Sequence, residues 1–297
     1  MILVTGATGF VGRRLLKRLA AAGDNPLRAT ARSVRAEAVP SGVEAVPADV
    51  TKPESLPPAL EGVNTVVHAA AITANLKEPY PGAYRRINQT GTENLMKAAV
   101  AAGVSRVVLM SGISVPAPEG SYMATRLGME KAVQDSGIPY VILQPSVLFG
   151  DGAEFITALA RVARLSPVLP LMGDPKLKFQ PLWIEDLLRI LEQTVTSDEY
   201  IGRAIPVGGP EHVTFKAVLQ TICQAMSIRR LLVPLPLPIA ELQARVMAAV
   251  LPKPPLTPAT IELFRYDNST SLDSVPANFG FQPRGFREHL LAHGVDR

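Results

Sequence analysis

Ile2-Leu3-Val4-Thr5-Gly6-Ala7-Thr8-Gly9-Phe10-Val11-Gly12 is the stretch that decides the fold. An apolar run ends in glycines at positions 6, 9 and 12, and Val11, Leu15 and Leu19 then recur one helical turn apart. A strand, a glycine turn and an amphipathic helix in that order build a loop for phosphate. Gly6 permits the tight turn, Gly9 lets the backbone approach a pyrophosphate, and Gly12 allows the helix to pack close to the sheet. The free N–H groups and positive dipole end of the helix then face the anion. The candidate cofactor loop is therefore Gly6, Thr8, Gly9, Phe10, Val11 and Gly12.

Further along the chain, β-like runs at residues 27–31, 43–46, 65–68, 106–110 and 140–143 alternate with helical patterns, clearest at 84–102 and 121–136. Such alternation predicts an α/β fold, a Rossmann-type doubly wound parallel sheet with a smaller mixed C-terminal region. The boundary is expected near residue 150. Residues 1–150 form the dinucleotide-binding domain, segments near 184–208 return to the sheet, and 151–297 make a substrate or partner region. Sheets of this type bind ligands beyond the carboxyl ends of their strands, so candidate residues belong at 31–35, 48–50, 69–72, 111–115 and 144–150.

Composition removes other classes. Of 297 residues, 47% are hydrophobic and 19% charged, which excludes a disordered chain. The single cysteine, Cys223, excludes disulfide frameworks and thiolate clusters and fits a reducing compartment. No apolar run reaches the ~18 residues of a membrane span. Met1 leads straight into apolar residues without a basic segment, so no signal peptide is expected and the location is expected to be cytoplasmic. No basic cluster is interleaved with aromatics, so no nucleic-acid partner is expected. The net charge of +4 suits a phosphorylated ligand or an anionic membrane surface, where the chain would sit peripherally. His289 and His293 have helical spacing but no third ligand, so no metal is expected.

The nucleotide is read after the second strand. Ala29-Thr30-Ala31-Arg32-Ser33-Val34-Arg35 holds no carboxylate before Glu37. An acid there would bind a ribose 2′-hydroxyl, whereas Arg32, with Arg13, Ser33 or Arg35, can clamp a 2′-phosphate. The alternative is ordinary solvated surface charge. The pattern favours NADP(H), with NAD(H) still open.

These features, with Asp49-Val50, Val66-Val67-His68-Ala69-Ala70-Ala71, Asn88-Gln89-Thr90-Gly91-Thr92, Tyr122 with Arg126, Gln144-Pro145-Ser146-Val147-Leu148-Phe149-Gly150 and Trp183-Ile184-Glu185-Asp186, resemble an extended or atypical short-chain dehydrogenase/reductase. Residues 165–174, 179–183 and 234–238 are most similar to the NAD(P)H-binding accessory subunit of respiratory complex I and its bacterial relatives. The resemblance implies that Asp49 and Val50 contact the adenine, Ala69, Ala70 and Ala71 the ribose side, and Pro145, Ser146 and Val147 the nicotinamide face. It implies that Asn88 orders the catalytic-site backbone. Two plainer roles stay open: Asp49 as the cap of a following turn, and Asn88 as the partner of a buried carbonyl.

In that superfamily a tyrosine exchanges a proton with the substrate oxygen, a lysine one helical turn later assists it, and a Ser or Thr polarises the same oxygen. Tyr122 fits, but the lysine position is Arg126, whose planar fork has a different reach. Ser111 and Ser114 are the candidate hydroxyls.

Ile239, Leu242, Val246, Met247 and Val250 fall on one face of a helix at 239–251, inside a segment with seven prolines between 234 and 258. This face can dock a membrane complex, cover a lipophilic substrate, or pack on the C-terminal region. Three functions compete: a reductase or dehydrogenase for a carbonyl or alcohol, a nucleotide-binding accessory subunit of a complex I-like assembly, and a nucleotide-sugar epimerase or dehydratase. Substrate identity and oligomeric state are not readable from these residues.

Overall fold

A computed structural model describes residues 1–295. Its first half runs β1 (Ile2–Thr5), α1 (Phe10–Ala22), β2 (Leu27–Thr30), β3 (Val43–Ala45), α2 (Leu56–Leu60), β4 (Thr65–His68), α3 (Gly91–Ala101), β5 (Arg106–Met110), α4 (Tyr122–Asp135) and β6 (Tyr140–Pro145). There follow β7 (Leu148–Phe149), α5 (Glu154–Leu165), β8 (Val168–Met172), β9 (Lys178–Phe179), β10 (Leu182–Trp183), α6 (Ile184–Thr196) and β11 (Arg203–Val207). The remainder is β12 (Val213–Thr214), α7 (Phe215–Ala225), β13 (Leu231–Leu235), α8 (Leu237–Val250), α9 (Pro258–Leu263), α10 (Ser274–Phe279) and α11 (Phe286–His293).

The main sheet has seven strands in the order β11-β6-β5-β4-β1-β2-β3, the expected Rossmann-type arrangement. β1 pairs in parallel with β2 on one side and β4 on the other. The chain thus winds outward to β3, then crosses over β1 to begin again at β4. The carboxyl ends of β1 and β4 flank the point where strand order reverses, and a crevice forms there in open sheets. β1 is buried along its whole length, which suits an unbroken apolar run in a two-faced parallel sheet.

Two compact units share the chain. One comprises Met1–Ile72, Glu78–Gln144 and Leu188–Ile205, and the other Thr73–Lys77, Pro145–Leu187 and everything from Pro206 on. The sequence reading set its boundary at 150 and its returning segment at 184–208. In the first unit Leu3, Val66, Val107 and Ile142 from the sheet pack against Leu56, Leu60, Leu95 and Met129 from the helices. In the second, the Phe179 ring lies 6.1, 5.9 and 5.6 Å from those of Phe155, Phe215 and Phe264. Cys223 is buried, and that burial raises its thiol pKa.

Two elements depart from the sequence reading. Residues 84–102 are not one α-helix: a π-helical turn, Arg85–Thr90, precedes α3. Two strands that the sequence reading did not assign, β13 and β8, pair in parallel as a two-stranded sheet. Pro170 and Pro234 fit there because each strand has a free edge that needs no N–H.

Arg28, on β2, is buried although charged. Its Nε donates to Glu44 on β3 at 2.8 Å, and Nη1 donates to the carbonyls of Ala59 and Glu61 at 3.0 and 2.7 Å. The guanidinium thus satisfies orphan carbonyls at the C-terminal end of α2 and pins that helix to the sheet. Arg28→Ala removes the cation and leaves these acceptors without it. A loss of about 2 kcal/mol is expected in denaturant unfolding, the scale of leaving buried acceptors without their donor, since Glu44 is itself half exposed.

Candidate functional site

A cleft of about 460 Å³ opens at the carboxyl ends of β1, β2 and β4. Gly6, Thr8, Gly9, Arg32, Ser33, Asp49, Val50, Ala69, Ala70 and Ala71 all line it. The sequence reading placed these ten on the cofactor, and the fold brings them together. Phe10, Val11 and Gly12 are not in the lining; they form the first turn of α1. Pro145, Ser146 and Val147 fall in the second unit. There the Val147 N–H donates to Asn268 Oδ1 at 2.7 Å, and the Ser146 hydroxyl donates to the Gln180 carbonyl.

Gly6 has φ +66°, and a Cβ on it would lie 2.7 Å from the Ala69 carbonyl oxygen and 2.8 Å from Ala70 N. A Cβ on Gly12 would lie 2.3 Å from the Gly6 oxygen, so α1 starts hard against the loop. The first turn of α1 carries no acidic side chain, and no helix carboxylate competes with an anion. The Thr30 hydroxyl, at the end of β2, is buried in the lining without a hydrogen-bond partner. Glycine cradle, helix end, unpartnered hydroxyl and the Arg32 cation together suit a dinucleotide. Asp49 accepts from Thr51 N at 2.9 Å and from Thr51 Oγ1 at 2.8 Å, so it caps a turn while lining the cleft.

Beneath the cleft runs a buried chain of hydrogen bonds whose protons can be assigned. Thr92 Oγ1 donates to the Asn88 carbonyl at 2.6 Å, so it must accept from His68 Nε2, 2.9 Å away. His68 Nδ1 is then the acceptor, and Thr5 Oγ1 donates to it at 2.8 Å. The lone pairs of Thr5 Oγ1 receive the N–H groups of Ala69 and Ala70 at 3.2 and 3.3 Å. The imidazole is therefore neutral with its proton on Nε2. Burial agrees, holding its pKa down at about 4. Asn88 extends the chain: its Oδ1 accepts from Ile72 N at 2.8 Å and its Nδ2 donates to Ile72 O at 3.0 Å. The side chain therefore does satisfy a buried carbonyl, and in doing so it fixes the backbone that follows β4.

Tyr122 and Arg126 lie one turn apart on α4, whose N-cap is the Ser121 hydroxyl. The Arg126 guanidinium stands 5.7 Å from the Tyr122 ring centre. The Tyr84 ring meets Tyr122 edge-on at 5.2 Å. Ser111 and Ser114 are brought together by a group the sequence reading missed. Glu130, buried on α4, accepts from Ser111 Oγ at 2.5 Å and from Gln144 Nε2 at 2.9 Å, while Ser114 Oγ lies 3.1 Å from it and donates over a shorter 2.8 Å to the Gly112 carbonyl. Glu130 stands two helical turns after Tyr122 on α4. His289 and His293, by contrast, stack at 4.6 Å, with His289 packed beside Phe149 and Trp183.

The chain belongs to the NAD(P)H-binding family, whose model matches residues 6–162. It is 33% identical over 218 residues to (4-alkanoyl-5-oxo-2,5-dihydrofuran-3-yl)methyl phosphate reductase of Streptomyces griseus, covering 72% of this chain and 70% of that one. It is 31% identical over 176 residues to ceramide reductase of Caulobacter vibrioides, covering 59% of this chain and 54% of that protein. A nucleoside-diphosphate-sugar epimerase from Staphylococcus aureus superposes with a TM-score of 0.77 at 19% identity, covering 98% of this chain and 99% of the other. That last likeness is one of fold.

The His68 assignment sets a pH dependence. With a pKa of about 4 folded and 6.5 unfolded, only the unfolded chain binds the proton between those values. Stability from this group is fully present above pH 6.5 and falls as pH drops towards 4. At about 1.4 kcal/mol per pH unit the loss reaches roughly 3 kcal/mol. Denaturant unfolding of native and His68→Gln proteins across this range should show that slope in the native protein alone.

Proposed function

We propose that the protein is an NADP(H)-preferring oxidoreductase that reduces the carbonyl of a small or lipophilic substrate, with Tyr122 as proton donor and Arg126 as its cation. The observation that carries the reading is Arg32. With Ser33 it lines the cleft at the end of β2, no described carboxylate pairs with it, and none stands where a ribose 2′-hydroxyl would be read. When bound, the dinucleotide supplies the hydride. The chain's own residues do the rest. Gly6, Gly9 and the start of α1 hold the pyrophosphate, Arg32 and Ser33 the 2′-phosphate, and Asp49 and Val50 the adenine side. Asn88 and the Thr5–His68–Thr92 chain hold the cleft wall at residues 69–72 in place. Tyr122 gives its hydroxyl proton to the substrate oxygen as the carbonyl becomes an alcohol. The reductases among its relatives, one of them acting on a ceramide, support both the reaction class and the lipophilic substrate.

One observation favours a second reading, a non-catalytic nucleotide-binding subunit of a complex I-like membrane assembly. Arginine replaces the family's lysine, and both candidate serine hydroxyls are already engaged, Ser111 with Glu130 and Ser114 with the Gly112 carbonyl and Glu130. The epimerase reading has less support, because it calls for a lysine at 126 and an acid after β2.

Calorimetric titration should show tighter binding of NADPH than of NADH. Arg32→Asp should weaken NADPH at least about tenfold, from the loss of a charge-assisted phosphate contact, and change NADH much less. Gly9→Val should abolish both, because its Cβ would sit 3.0 Å from the Gly6 oxygen with two methyls beyond. Equal native affinities would overturn the NADP(H) preference.

Single-turnover NADPH oxidation against a panel of carbonyls and quinones then separates the readings. Slow native oxidation, lost in Tyr122→Phe and faster in Arg126→Lys, is expected. Firm NADPH binding with no oxidation by any of the three proteins would transfer the support to the accessory-subunit reading. Tightly retained NAD in the purified protein would transfer it to an epimerase.

A further inference from the structure

α8 is built inside out. Its fully buried residues are Ala240 and Ala244, which join the aromatic cluster around Phe179. After Leu237, which packs on that cluster, its branched aliphatics face away: Ile239 is 49% exposed, Leu242 64%, Val246 55% and Val250 74%. At 100° per residue these four fall within a single sector less than a quarter-turn wide. The stripe that made the segment read as amphipathic therefore lies on its outer face. A helix that gives small residues to the core and large aliphatics to solvent reverses the usual arrangement, and such a stripe marks an interaction surface. Elsewhere in the same unit, Leu231 and Val168 are register partners in the β13–β8 ladder, and both are exposed.

Charge narrows the partner. Between residues 236 and 256 the charged residues are Glu241, Arg245 and Lys253. Glu241 is ion-paired with Arg265, whereas Arg245 and Lys253 are exposed and have no carboxylate partner among the described residues. Arg161 and Arg164 on α5, and Arg229 before β13, are likewise exposed and unpaired among the described residues. A second copy of the chain docked symmetrically through α8 would set Arg245 and Lys253 against their own counterparts with no free carboxylate in the segment to offset them. Aliphatics between cations match the interface of an anionic bilayer, with the apolar face at the acyl boundary and the cations at the headgroup phosphates. No described helix is long and apolar enough to cross a membrane, so α8 would lie in the surface plane.

We propose that α8, with Arg245 and Lys253, docks the protein on an anionic lipid surface. The test is co-sedimentation of the full chain with vesicles of equal parts phosphatidylglycerol and phosphatidylcholine, and with vesicles of phosphatidylcholine alone. Binding to the acidic vesicles, weakened by salt, with little binding to the neutral ones is expected. Leu242→Glu with Val246→Glu alters only exposed positions, so the melting temperature should hold while vesicle binding is lost. Arg245→Gln with Lys253→Gln should weaken acidic-vesicle binding about twenty-five-fold, at about fivefold per cation. Failure to bind the acidic vesicles would overturn the proposal, as would equal binding to both kinds or undiminished binding by the Leu242→Glu/Val246→Glu protein. If that variant instead converts a dimer to a monomer in ultracentrifugation without vesicles, the face belongs to a second copy and the proposal falls.

Discussion

A neutral histidine at the end of the fourth strand is what the cleft depends on. His68 has only one workable proton arrangement between the hydroxyls of Thr5 and Thr92, and that arrangement ties β1, β4 and α3 together at the level of the loop. Gly6 can press to within backbone contact of Ala69 only because Thr5 and His68 hold those strand ends in register. A second donor on Nδ1 would oppose the Thr5 hydroxyl and leave a charge without solvent. The cost of burying an uncompensated charge is large compared with the net stability of a domain. Cleft shape and core protonation are in this sense one property.

The two candidate chemical centres differ in kind. Around the glycine loop the groups offered to a ligand are backbone, the Arg32 cation and a few short polar side chains such as Thr30, Ser33 and Asp49, so recognition there rests on shape, fixed dipoles and those few contacts. Around α4 the polar groups are already engaged with one another. Glu130 takes up the Ser111 hydroxyl and a glutamine amide, Ser114 donates to the Gly112 carbonyl beside it, and Arg126 lies beside an aromatic ring. A preformed binding cleft beside a self-satisfied polar cluster is the physical reason that the nucleotide is easier to assign than the reaction.

The legible part of the chain was the part governed by short-range rules. Glycine spacing, the buried run of β1 and the period of α1 are local, and they led directly to the cleft and to Arg32. What escaped reading depended on partners distant in sequence. Nothing near Glu130 announces that Ser111, Ser114 and Gln144 converge on it, and Arg28 looks like a surface residue until α2 places its last carbonyls above it. β13 was hidden because prolines argue against a strand unless a free edge is available. The stripe on α8 was visible as a pattern, but a pattern does not say which face turns inward. The alanines decided that.

The π-helical turn at Arg85–Thr90 has a consequence for how the sequence can vary in length. It holds one residue more than an α-helix would over the same rise, and each residue advances a helix by 100°. With that extra residue, α3 presents Thr92 to His68 while Asn88 faces Ile72 and Tyr84 meets the ring of Tyr122. Deleting any one residue here would leave a better helix and a worse site, because everything before the deletion would turn by more than a quarter of a circle. Relatives that keep the Asn88 contact should therefore tolerate insertions or deletions in the loop before residue 84, and not within the six residues that follow it.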